Sequence, residues 1–321
     1  MKKIIVFGGG TGLSCLLSGL KLFPVDVSTV ITVSDNGSST GVLKRELDIP
    51  AVGDVGKVLI SMANVDEDFT RLLSYRFDKD GSLYNHPVRN IMLAALIDLK
   101  GNLTEATRYM CRLLNIKGEV LPLTEDRVEL IGEGKDHAFI GEEEVSQNIR
   151  NIVKLGYDRD VHVSQEVVAR IEDADLIIFS PGSLYTSILP HLIVEDVVKA
   201  IGRAKAPIMY VSNLVTQPGE TDHYNVSDHL AVLNRYLGNR RVDIVVANNM
   251  QIDESVRENY LRTEDKTVVS LDRDEIGKLG AEIIEDNILH IDEGRIRHDA
   301  LKTAFLIFSY LMKNDGMNKN T

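Results

Sequence analysis

Residues 2–7, KKIIVF, run straight into Gly8, Gly9, Gly10, Thr11 and Gly12, and then into an apolar stretch over 13–22. An apolar run this short and dense reads as a buried strand, and the stretch after it reads as a helix. Successive glycines let the backbone turn tightly and approach a ligand. The helix N-terminus behind them offers unpaired N–H groups and a partial positive charge. A strand, a glycine turn and a helix in that order imply an α/β layer structure with a phosphate site at its start.

Further apolar runs repeat the theme at 27–33 (VSTVITV), 175–179 (DLIIF), 207–211 (PIMYV) and 242–247 (VDIVVA). They are rich in Val and Ile without strict alternation, as in parallel strands buried on both faces. Helical patterns at 195–204 and 228–237 fit between them. The alternation predicts a Rossmann-like, doubly wound, mainly parallel sheet. Residues 69–75, 88–99 and 103–114 read as helices, the last capped by Asn102 or Thr104. Residues 118–144 break into short alternating pieces (EVLPL, RVELIG, HAFIG), which predicts a small antiparallel excursion. The expected organisation is a single domain over 1–312 with an insertion at about 66–165. An apolar last helix at 300–312 precedes a polar, fraying tail at 313–321.

The formal net charge of −12, with no stripe of Lys and Arg, argues against a nucleic-acid partner. An acidic chain that binds a phosphorylated ligand must use backbone dipoles, a few placed cations or a metal. The two cysteines, Cys15 and Cys111, fall on packed helix faces and read as core residues rather than a disulfide. No stretch approaches the ~20 apolar residues of a membrane span, and the start lacks a signal-peptide pattern. A cytoplasmic location is expected.

In open α/β sheets ligands bind beyond the carboxyl ends of the strands. Five polar clusters fall there: residues 8–12; Asp35 and Asn36; Gly182 and Ser183; Asn213 with Thr216 and Gln217; and Asn248 with Asn249. Each alone is an ordinary turn, but five together favour a ligand crevice. The glycine loop is neither GxxxxGK[ST] nor GxGxxG, because Leu13 stands at the third glycine. Asp35 at a strand end keeps a ribose-binding role, and so a dehydrogenase, open. Thr11 serves as a helix cap or as a phosphate ligand. Asp54 reads as the N-cap of a helix over 55–63. If Asp35 and Asp54 converge, two carboxylates beside a diphosphate suit Mg2+. His86 and Asn90, four apart, are expected on one helical face aimed at the crevice. Arg295, Arg297 and His298 form the compact basic cluster (GRIRHD), and Tyr260 either stacks on a base or covers a helix.

The segments GGGTGLS, SDNGSST, PxxGDV, NHPVRN, PGSLYTSILP, SNLVTQPGETDHYNVSDH and RIRHD stand in the same order as in the YvcK proteins. These belong to the CofD-like superfamily and are often labelled gluconeogenesis factors. The resemblance runs over nearly the whole chain. It implies a Rossmann-like fold and one of two activities. CofD itself transfers a phospholactyl group from a guanosine-diphosphate-linked donor to a deazaflavin precursor. The YvcK branch is associated with binding UDP-sugars such as UDP-N-acetylglucosamine and with carbon metabolism, cell shape and wall synthesis; the resemblance here is to that branch. It implies that the glycine loop takes phosphates and that Asp35 and Asp54 match the metal-holding acids of CofD. By the same resemblance Asn213, Thr216, Gln217, Asn248, Asn249, Tyr260 and Arg297 form the nucleotide-sugar side. A non-catalytic sensor is the leading expectation and a metal-dependent transferase the alternative. A homodimer and a protein partner are compatible with either, and the residues identify neither.

The chain also departs from the family pattern. DNGGSSGRLR becomes DNGSSTGVLK, placing Val42 and Lys44 where arginines are usual. PPGDIRN becomes AVGDVGK, placing Gly56 at another arginine, and GHSLGN becomes NHPVRN, placing Arg89 at a glycine. A planar bidentate cation is not replaced by Val or Gly. Arg89 and Lys57 are the candidates to compensate.

Overall fold

Every second residue of the first strand faces a different core. Ile4 and Val6 join one apolar cluster, Ile5 and Phe7 the other, as the two-residue period of a strand requires. The chain is described here from a computed structural model, which covers residues 1–79, 81–292 and 295–318. In chain order, β1 (Lys2–Gly8) leads into α1 (Gly10–Leu20), and β2 (Val25–Ile31) into α2 (Ser38–Leu47) and α3 (Gly53–Met62). Three helices follow: α4 (Glu67–Ser74), α5 (Val88–Lys100) and α6 (Leu103–Leu113). Next come β3 (Glu119–Pro122), β4 (Leu130–Gly134), β5 (Ala138–Ile140), α7 (Glu142–Gln147) and β6 (Ile152–Tyr157). The second half runs α8 (Gln165–Glu172), β7 (Leu176–Phe179), α9 (Leu189–Leu192), α10 (Glu195–Arg203), β8 (Ile208–Val211), α11 (Val226–Tyr236) and β9 (Ile244–Asn248). It closes with α12 (Glu254–Glu264), α13 (Arg273–Leu279), β10 (Glu282–Asp286), β11 (Leu289–Asp292), β12 (Arg295–His298) and α14 (Ala300–Asn318).

Seven strands form one parallel sheet in the order β10-β9-β8-β7-β1-β2-β3. Helices cover both faces: α1, α3, α5, α6 and α14 bury side chains in one cluster, α8, α10, α11 and α13 in the other. The expected Rossmann-like architecture is therefore present. Strand order reverses between β1 and β7, since β2 and β3 extend one way and β8 to β10 the other. A crevice opens at such a switch point because the loops after the two central strands leave in opposite directions.

Two local expectations change. The piece EVLPL is the parallel edge strand β3, and the antiparallel sheet consists instead of β5-β4-β6. Alternation alone did not separate a strand that pairs with β2 from one that pairs with its neighbours. The last helix continues to Asn318, and residues 319–321 of the expected tail lie outside the described residues. Asn102, not Thr104, caps α6, accepting the Glu105 N–H at 2.8 Å.

Candidate functional site

The switch point opens into a crevice of about 580 Å3, within the usual range for a small-molecule site. Its floor is the glycine loop. Gly10 sits at φ +64°, a backbone that favours glycine. A Cβ on Gly12 would lie 2.2 Å from the Pro181 carbonyl oxygen, so the loop after β1 and the loop after β7 touch backbone to backbone. Gly9, Gly10, Thr11 and Gly12 line the floor, with Gly182 and Ser183 opposite. The N-cap position of α1 is Gly9, with no capping side chain. Thr11 is therefore not the cap: it lies exposed in the first turn, facing the crevice. Gly8 stays within β1.

The loop after β7 is braced from behind. Asn213 exchanges two hydrogen bonds with Gly182, donating to its carbonyl and accepting its N–H, both at 2.8 Å. Buried Glu220 accepts from the Ser183 hydroxyl at 2.9 Å and the Tyr185 N–H at 2.8 Å. Burial pushes its carboxyl up to about 7. Residues 184–188 then form a π-helical turn, a form that recurs at functional sites, and Thr186 and Ser187 from this turn enter the lining.

At the β2 end three carboxylates converge. Asp35 follows β2 and accepts the Gly37 N–H at 2.9 Å. Asp54 is not the N-cap of α3, which is Val52; it is the second helical residue, paired with Lys57 at 2.8 Å. Glu142, at the start of α7, is the third. Burial raises the Asp35 carboxyl, and the charge of Asp54 raises it further. Burial, then Asp35 and Asp54, push Glu142 up to about 8. Among the described residues no three His, Cys, Asp or Glu side chains are grouped closely enough to hold an ion by themselves. A hard cation here would need ligand oxygens as well, as Mg2+ commonly does. With that help the acids fit such an ion, because raised carboxylates are what an added positive charge relieves.

The β8 end is lined by Thr216, Gln217, Lys266, Arg297 and His298. His298 is half-buried; desolvation lowers it to about 4, and its Nε2 donates to the Ser212 carbonyl at 2.9 Å. The Cys15 thiol donates to the His298 carbonyl at 3.2 Å and also faces the crevice, so it is not wholly a core residue. Both cysteines are free.

Several expected residues lie elsewhere. Asn36 lines an adjoining cleft with Asp35 and Glu142. His86 precedes α5 rather than sharing its face; it is buried, with Nδ1 2.8 Å from the Ser39 hydroxyl, outside the crevice lining. Asn90 lines a smaller neighbouring cavity. Asn248 ends β9 and Asn249 follows it; neither is in the crevice lining, and the Asn248 amide donates to the Met250 carbonyl. Tyr260 is buried in α12, where its hydroxyl accepts the Ile296 N–H, so it is no stacking platform. Glu142, Thr186 and Lys266 escaped sequence reasoning. The GEEE run at 141–144 was the available signal for the first; nothing local pointed to the others.

The family model described as 2-phospho-L-lactate transferase CofD matches residues 4–289. The gluconeogenesis factor of Bacillus subtilis is 38% identical over 96% of this chain and 98% of its own length. That of Halalkalibacterium halodurans is 35% identical, covering 94% of each. A solved structure of a UPF0052 family protein from Bacillus halodurans superposes with a TM-score of 0.89 at 36% identity, covering 95% of this chain and 99% of that one. Among the described residues no helix is long and apolar enough to cross a membrane. A switch-point crevice floored by glycines, a family model spanning most of the sequence and near full-length relatives agree, and the chain belongs to the CofD family, alongside the proteins named gluconeogenesis factors.

Proposed function

We propose that the crevice binds a nucleoside diphosphate sugar of the UDP-N-acetylglucosamine class and that the protein acts chiefly as a regulatory sensor of that ligand. The observation that carries this reading is the meeting of the β1 and β7 loops at the switch point. Four crevice-lining residues of the glycine loop stand at the uncapped start of α1, a site suited to a diphosphate. Arg297 and Lys266 supply positive charge at the β8 end, where a uracil and its ribose would lie. The polar lining suits the hydroxyls of a sugar. The Ser183 hydroxyl that pairs with Glu220 also accepts the Thr186 N–H and so belongs to the loop frame, which favours binding over turnover. A UDP-N-acetylglucosamine ligand would link the protein to wall synthesis and cell shape. The names of its relatives point to carbon metabolism.

A thermal-shift panel of UDP-N-acetylglucosamine, UDP-glucose, GDP and NAD tests this reading. At a hundred times Kd the right ligand adds about 2.7 kcal/mol, a shift of several degrees. No shift with either UDP-sugar, or a larger shift with NAD, overturns the reading.

The acid cluster favours a second reading, a transferase that uses a nucleotide-diphosphate donor. Asp35 and Asp54 would hold Mg2+ against the diphosphate, and the ion would supply neutralisation of the leaving group's charge. Lys57 keeps Asp54 in place through their ion pair. Glu142, raised to about 8, holds a proton near neutrality when no cation is beside it and is placed to exchange one with an acceptor hydroxyl. Turnover of a donor that Asp54→Asn abolishes would establish this reading. Absence of product across donor and acceptor panels would dismiss it.

A further inference from the structure

Behind Asp35 and Lys57, which line both spaces, lies a second cavity of about 130 Å3. Arg76, Arg89 and Asn90 close its other side. Arg89 stands in the first turn of α5, only 9% exposed, and its Nε is buried without a hydrogen-bond partner. Among the described residues no carboxylate pairs with it. The charge acting on it is that of Arg76, of like sign, and burial and this neighbour together lower its pKa. A buried guanidinium without a counter-ion is costly, so the arrangement calls for an anion.

Three further features point the same way. The ten-residue helices α2 and α3 both begin at this cavity, through Gly37 and Gly53, and neither has a capping side chain. Their first N–H groups are suited to an oxyanion. Asn90, 3% exposed, has an Oδ1 with no donor, which the hydroxyl of a singly protonated phosphate would satisfy. Finally, a Cβ on Gly56 would meet the Arg89 Cδ and the Asn90 Oδ1 at 3.2 Å each. The bare backbone of α3 thus makes room for the Arg89 stem.

We propose that this cavity is a second anion subsite, taking one phosphate group of a small molecule other than the nucleotide. With Lys57 already paired to Asp54, Arg89 and Arg76 outweigh the one facing carboxylate, Asp35. The site places a phosphorylated second ligand against the acid end of the crevice, and it does so whatever nucleotide the crevice prefers.

The test titrates inorganic phosphate, and separately methyl phosphate, into full-length wild type, Arg89→Met, Arg76→Ala and Arg297→Ala. UDP-N-acetylglucosamine is titrated into each protein in parallel. Expected are a loss of phosphate affinity of at least tenfold in Arg89→Met and several-fold in Arg76→Ala, with Arg297→Ala within twofold of wild type. Methyl phosphate should bind at least as tightly as inorganic phosphate. Unchanged phosphate affinity in the first two variants, an equal loss in Arg297→Ala, or rejection of methyl phosphate would overturn the proposal. Arg76 is exposed, so its variant stays informative if Arg89→Met fails to fold. Silence of the UDP-sugar in wild type would sink the nucleotide-sugar reading and leave the phosphate result standing.

Discussion

At the β2 end of the crevice the charge of Asp54 raises the proton affinity of Asp35, and both raise that of Glu142, whereas at the β8 end Asn213, Glu220 and His298 spend their polar atoms on backbone groups and the Ser183 hydroxyl. The first end is electrostatically unfinished. The second is a frame whose hydrogen bonds are closed before any ligand arrives. A buried polar network that is fully satisfied rigidifies its surroundings, and one that is not stores a preference for whatever completes it. The contrast assigns ligand-dependent charge compensation to one end and shape to the other.

The largest effect expected is on the floor that joins the ends. Gly12→Ala puts a methyl group into the Pro181 carbonyl; overpacking of this kind costs about 2–3 kcal/mol and should abolish nucleotide binding. A chemical melt and a ligand titration read both effects, and wild-type affinity would mean that the two loops do not need to touch. Next is the frame. Asn213→Ala removes two bonds to Gly182, a loss of about 2 kcal/mol, which should appear equally with and without Mg2+. A loss seen only with Mg2+ would erase the distinction between the ends.

A smaller effect separates the ends by pH. Glu142 has a folded-state value near 8 against an ordinary 4.5. Between those values the folded protein holds a proton that the unfolded chain has released, so stability falls as pH rises through this window. Glu142 is only half-buried, so the fall should be on the order of 1–2 kcal/mol. Melts of Glu142→Gln from pH 5 to 8 should be flatter than wild type, and an unchanged slope would remove Glu142 from the acid cluster. The smallest effect is expected at Arg297, at the crevice rim: Arg297→Ala should weaken UDP-sugar binding about tenfold, near 1.4 kcal/mol, independently of Mg2+. An undiminished affinity would leave the basic side of the crevice to Lys266.

Much of this architecture was legible because it is local. The residues of β1, β7 and β8 carry apolar runs broken by small polar residues, and the same runs set the sheet and the position of its crevice. Asp35, Asp54, Gly182 and Asn213 could be named because strand ends and helix starts are fixed by sequence, and Arg297 because it stands in the compact basic cluster GRIRHD. The errors came where tertiary packing decides. The Tyr260 ring, read as a base platform or a helix cover, lies in the core, where its hydroxyl accepts the Ile296 N–H. His86 was consumed by Ser39. Glu142 and Thr186 reach the crevice through an inserted antiparallel sheet and a π-helical turn, neither of which has a periodicity that points at β2.

The most direct test is calorimetric titration of UDP-N-acetylglucosamine into wild type and Asp54→Asn, each with and without Mg2+. The account predicts binding by both proteins without metal, and a strengthening of tenfold or more with Mg2+ in wild type alone. No binding to wild type, or an equal Mg2+ effect in Asp54→Asn, would contradict it.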